Sequence, residues 1–140
     1  MIKLKPYSAS MLAFGGLLLV VMGIYFIFMR PPLLPEDLRY MKTTLPVIHA
    51  AAPGLSAWLQ KVFWVMGGYI FTTGLLTIFI AFTLFRNHLH GASSMVTLAG
   101  ISSIGSMTVV NFIIDSDFKW LLLIFTLPWV IALILYRLHK

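Results

Sequence analysis

The charges of this 140-residue chain are confined to a few places, and that confinement limits its fold more than any motif does. Ten basic and four acidic residues fall at Lys3 and Lys5, from Arg30 to Lys61, at Arg86, from Asp115 to Lys119, and at Arg137 and Lys140. Four charge-free stretches lie between them: 6–29, 62–85, 87–114 and 120–136. A helix rises about 1.5 Å per residue, so roughly 20 apolar residues cross a hydrocarbon layer about 30 Å thick. Each stretch, trimmed of its polar flanks, has that length. Backbone groups in lipid must be satisfied internally, which makes each stretch a helix. Continuous apolarity, without alternation, excludes the strands of a membrane barrel.

Composition agrees. Apolar residues make up 60% of the chain and charged residues 10%, against about 45–50% and about 25% in soluble domains. A chain of this size cannot bury that excess in a single core. The absence of cysteine excludes disulfide frameworks, thiolate metal sites and thiol nucleophiles. The formal charge of +6 reads as anchoring to lipid headgroups rather than as nucleic-acid binding.

The expected fold is an all-α integral membrane protein, a four-transmembrane-helix bundle with a short interfacial helix in its first loop. Residues 1–140 form a single membrane domain, with spans at 8–29, 55–85, 91–114 and 119–137 and the interfacial loop at 30–54. The first span follows a basic start but is longer than a signal-peptide core, and no A-x-A site precedes Arg30. In the loop, Pro35-Glu36-Asp37 has the marks of a helix start: proline at the first position and acids in the first turn. That helix should end near Lys42, with Leu38 and Tyr40 or Met41 dipping towards lipid. After Pro53-Gly54, the helical recurrence of Leu55, Trp58, Leu59, Val62 and Phe63 opens the second span.

Four crossings put both termini on one side, together with Arg86. The positive-inside count ties, five basic residues against five. All four acids lie on the side away from the termini, which favours cytoplasmic termini.

Small residues allow membrane helices to approach closely. The first helix carries Ala9, Ala13, Gly16 and Gly23, and the second carries Gly67, Gly74, Thr77 and Ala81. The third is rich in Ser, Thr and Gly on nearly every face, which predicts that it is the most protein-contacted. The fourth has few small residues and is expected to be the most lipid-exposed, with Pro128 freeing the carbonyl of Ile124. Tyr25, Phe26 and Phe28, and Trp58, Phe63, Trp64 and Tyr69, read as aromatic belts at the membrane boundaries.

An ionisable side chain inside a span would mark function, and none is present. Proton coupling through a span carboxylate therefore has no group to run on, and Glu36 and Asp37 are accounted for by the helix dipole. Histidines supply the remaining metal and proton chemistry. His88, His90 and His139 share one side and are candidate metal ligands. On the other side, His49 and Asp115 are candidate catalytic groups for a membrane-surface reaction. Asn111, Ser103, Ser106 and Tyr69 are the candidate polar contacts of a ligand cavity along the third helix. No cofactor motif is present, and the span methionines read as core filler.

The expected function is that of a non-catalytic structural or accessory subunit of a larger membrane complex. It would contact the lipid bilayer and either other membrane subunits or its own copies through small-residue faces, with no nucleic acid and no cofactor. A lipid or small-apolar-molecule carrier is the first alternative, and an enzyme using His49 and Asp115 the second.

Overall fold

Helix α1 (Lys5–Phe28) buries Ser8, Ala9, Leu12, Gly15, Gly16, Leu19, Met22 and Gly23. This three- and four-residue recurrence is that of one helical face. The computed structural model describes residues 5–138, and every regular element among them is helical. Two short helices follow, α2 (Pro35–Met41) and α3 (Leu45–Ala51). Helix α4 (Leu55–Ile80) runs on into a π-helical turn at Ala81–Phe85. The third apolar segment is α5 (Ala92–Gly100), a second π-helical turn at Ile101–Gly105, and α6 (Ser106–Ile113). Helix α7 (Lys119–Leu138) completes the described chain. Four helical segments, Tyr7–Phe28, Leu55–Phe85, Ala92–Ile113 and Lys119–Leu138, are long and apolar enough to cross a membrane, the signature of a multi-pass membrane protein.

The buried face of α1 packs chiefly on α4 and next on α7. Glycine sets the first contact. Gly16 and Gly23 are seven residues apart, as are Gly67 and Gly74, and the two pairs match in antiparallel register. A Cβ on Gly16 would lie 2.9 Å from the Gly74 carbonyl oxygen, and one on Gly74 would lie 2.6 Å from that of Gly16. At the other pair, a Cβ on Gly67 would lie 2.8 Å from the Gly23 oxygen, and one on Gly23 would lie 2.6 Å from the Phe71 nitrogen. These neighbours are backbone atoms and cannot swing away.

Trp129 fastens α7 to the rest. It is buried, and a Cβ at Gly15 or Gly100 would come within 2.7 or 2.8 Å of its ring. One indole thus fills the space left by two glycines on different helices, and its Nε1–H has no hydrogen-bond partner among the described residues. Near the end of α7, Tyr136 is stacked between Phe85 and His88, each ring centroid 4.3 Å away.

The third segment departs from expectation. It is the least buried of the four, and the fourth is not the most exposed, being more buried than the second and third. Ser102 and Ser106 face outward, and Ser103 is half-buried. The physical reason is local. Ser102 donates to the Leu98 carbonyl, Ser103 to Ala99, Ser106 to Ser102 and Thr108 to Ile104. Hydroxyls satisfied by their own helix need no neighbouring helix. They also compete for carbonyls of the ladder at the place where the helix widens into its π turn.

The glycine register predicts a graded response. Gly23→Ala and Gly74→Ala should each cost about 1–3 kcal/mol through overpacking. Gly68→Ala, whose Cβ would meet nothing within 4 Å, should be neutral or slightly stabilising by helix propensity. Thermal unfolding in a mild detergent reads all three; equal effects would contradict the close-approach account.

Candidate functional site

Helix α6 packs on α7, while α1 and α4 are joined through their glycines, and a cleft of about 560 Å³ lies between the two pairs. This volume is within the range of about 300–1,000 Å³ typical of small-molecule sites. Val21, Met22, Tyr25 and Phe26 of α1 and Phe63 and Met66 of α4 form one wall. Ser106, Met107, Val110 and Asn111 of α6 and Leu121, Leu122 and Phe125 of α7 form the other. Arg30, Leu34, Glu36, Asp37 and Ser116 close one end. Val21, Val110 and Leu121 are also exposed on the outer surface, so the cleft communicates sideways with the surroundings of the helices.

The polar end is assembled by two turns. Helix α2 starts at Pro35, and the Asp37 carboxylate accepts a hydrogen bond from the Leu34 N–H at 2.8 Å, tying down the first turn. This fixes Glu36, which is 2% exposed. From the other side, α6 ends with Asp115 in the left-handed region (φ 53°). The Asp115 N–H donates to the Phe112 carbonyl and the Ser116 N–H to the Asn111 carbonyl, the paired bonds of a Schellman stop. That stop carries Ser116 inward. Its hydroxyl donates to Glu36 Oε1 at 3.2 Å and accepts from the Phe118 N–H at 3.1 Å.

Arg30, just beyond α1, is the cation of this end, its side chain 11% exposed. It pairs with Asp37 at 3.5 Å, donates to the Pro31 carbonyl at 3.0 Å and lies 3.6 Å above the centre of the Phe63 ring. Burial lowers its pKa from the ordinary arginine value, against the opposing pull of Asp37, Tyr25 and Glu36. On the outside of the same junction, Arg39 donates to the Asp117 carboxylate and to the Asp115 carbonyl. The hydrogen bond to Asp117, and then its charge, hold the Arg39 pKa above its usual value. Lys119 pairs with Asp115 and, through the hydrogen bond first and the charge second, holds that carboxyl below the ordinary aspartate range.

The candidates from the sequence scatter. Asn111 and Ser106 line the cleft, each with a hydrogen bond to its own helix, to the Met107 carbonyl and the Ser102 carbonyl respectively. Ser103 is not among the lining residues, and neither is Tyr69, which is 74% exposed. His49 shares a hydrogen bond with Ser56 at 3.3 Å, whereas Asp115 is engaged with Lys119. His88 stacks on Tyr136, His90 is exposed, and His139 lies outside the described residues. Among the described residues no three His, Cys, Asp or Glu side chains gather closely enough to hold a metal ion.

Sequence reading missed Glu36, Arg30 and Ser116. Helix-dipole logic explained Glu36 too early. No local pattern in α2 marks Glu36, rather than Leu38, as the side chain that packs inward. In the structure Leu38 is half-buried, and Tyr40 and Met41 are exposed. No protein-family model matches the chain, and no curated protein or solved structure matches it. The site therefore has to be read from its own chemistry.

The two arginines at this end should behave differently. Arg30→Met leaves Asp37 in a largely buried position without its partner. It should cost about 2 kcal/mol, between the roughly 0–1 of an exposed pair and the roughly 3–5 of a fully buried one. Arg39→Met, which removes a pair more than half exposed on both sides, should cost less than about 1 kcal/mol. Unfolding midpoints measured side by side would refute the assignment if the order were reversed.

Proposed function

We propose that this chain is a non-catalytic membrane protein that binds an amphipathic molecule in the cleft between α1/α4 and α6/α7. The observation that carries the reading is the cleft's polarity: mostly apolar walls, lateral access, and its charged groups gathered at one end. An amphiphile entering from the bilayer would lay its chain against Met22, Met107, Val110 and Phe125 and present its head to Arg30, Glu36 and Asn111. Burial of aliphatic surface, about 25 cal/mol per Å², supplies affinity, and the polar end supplies orientation.

In this reading the four apolar helices form a bundle across the bilayer. The α2–α3 segment rests at one interface, and both termini lie at the other, cytoplasmic side. Helix α2 closes the polar end, and Tyr40 and Met41 are available to meet lipid headgroups.

A second reading, as a subunit of a larger membrane assembly or a self-associating one, is supported by the outward face of α5 and α6. Leu98, Ile101 and Ser102 are exposed there, and a small residue such as Ser102 lets another helix approach closely. Mild extraction followed by particle-mass measurement tests it, and a bare monomer without a co-extracted protein counts against it.

For the binding reading, Val110→Trp places a large ring on the cleft wall at a position that is 52% exposed. A ligand that binds the folded state raises its stability in proportion to the logarithm of occupancy. Saturating 1-dodecanol should therefore raise the unfolding midpoint of the unmodified protein and leave that of Val110→Trp unchanged. Equal shifts in both would remove the cleft as the binding site.

A further inference from the structure

The charges at the closed end of the cleft are unbalanced, and the imbalance specifies a head group. Two carboxylates, Glu36 and Asp37, face one guanidinium, that of Arg30. Asp37 takes the ion pair and also holds the Leu34 N–H. Arg30 is further engaged by the Pro31 carbonyl and the face of Phe63. Glu36 is in no ion pair among the described residues, and its recorded hydrogen bond is from the Ser116 hydroxyl. Arg30 and Arg39 act on Glu36 electrostatically, but neither forms an ion pair with it. A carboxylate 2% exposed with one neutral hydrogen-bond donor is therefore short of the close partners that a buried charge requires.

Resting on the cleft reading, we propose that the occupant is a single-chain amphiphile with a protonated amine head, the ammonium hydrogen-bonding to the Glu36 carboxylate. An ammonium supplies both the missing counter-charge and the missing donors, and such charge-assisted bonds are the strong ones. Tyr25 and Phe26 also line the cleft, and an aromatic ring can add cation–π attraction to an ammonium. An anionic head would meet a net negative site whose guanidinium is already taken. A divalent metal ion would need several oxygen ligands, and the cleft offers one uncommitted carboxylate in mostly apolar surroundings. The volume of about 560 Å³ suits one alkyl chain better than a diacyl lipid.

The test offers three probes with the same chain, dodecylamine, 1-dodecanol and dodecanoate, to the full chain in a neutral detergent, and reads occupancy by native mass spectrometry. Dodecylamine should bind about tenfold or more tightly than dodecanol, the margin expected of a charge-assisted hydrogen bond. Glu36→Gln should erase that margin while dodecanol still binds, and Ser116→Ala, which keeps the carboxylate, should preserve it. If Glu36→Gln does not fold, Glu36→Asp, with its charge withdrawn by one methylene, should shrink the margin. Equal binding of all three probes, a preference for dodecanoate, or a margin that survives in Glu36→Gln overturns the amine assignment. Displacement of dodecylamine by diacyl phosphatidylethanolamine, which also carries an ammonium, overturns the single-chain assignment. Dodecanol binding that is abolished by Val110→Trp but shows no amine preference leaves the cleft reading standing and removes only this one. Absence of binding by every probe removes both.

Discussion

The glycine-to-backbone contact between α1 and α4 is the constraint on which the remaining arrangement depends. Because Gly16 meets Gly74 and Gly23 meets Gly67 in antiparallel register, these two helices approach closely enough for main-chain atoms to touch. In lipid no hydrophobic force draws helices together, so dispersion at short range is the main attraction. Helix α7 is fastened to α1 by Trp129, which packs over Gly15, while the contact of the same ring with Gly100 gathers in the third segment. The third segment, attached through α7 and not through a seam of its own with α1 and α4, leaves the cleft beside it.

The same economy explains why an acidic residue is buried in a chain whose four apolar helical segments contain no Asp or Glu. The short helix α2 folds back over the end of α1, and the Schellman stop of α6 turns Ser116 to meet it. Eighty residues of sequence separate Glu36 from Ser116, and the contact is specified by two local devices: a proline-led helix start and a left-handed helix stop. Arg30 lies between these devices and the apolar wall. A polar end of this kind orients whatever enters the cleft, since the remaining surface discriminates little by direction.

Much of this layout is legible in the sequence because the physics behind it is local or compositional. Charge-free runs define the apolar helices, the Pro35-Glu36-Asp37 signature marks α2, and the small residues of α1 and α4 mark a packing face. The third helix was misread because its Ser and Thr side chains look like packing surface but are spent on their own carbonyls. Asn111 and Ser106 were picked out as polar contacts along that helix, and both border the cleft. Glu36 was not, because its burial is a tertiary event: a first-turn acid is explained equally well by the helix dipole, and only the juxtaposition with Ser116 and Arg30 gives it another role. Sidedness alone groups His49 with Asp115, and it does not specify the partners each takes, Ser56 for the one and Lys119 for the other.

Photolabelling in a bilayer with a diazirine placed on a dodecyl chain, followed by peptide mapping, tests the central claim most directly. The account predicts saturable labelling concentrated on Val21 and Met22 of α1 and on Met107 and Val110 of α6, the facing walls of the cleft. Labelling that rises without saturation, spread evenly over outward residues of α7 such as Ile124, Leu127 and Ile134, would contradict it.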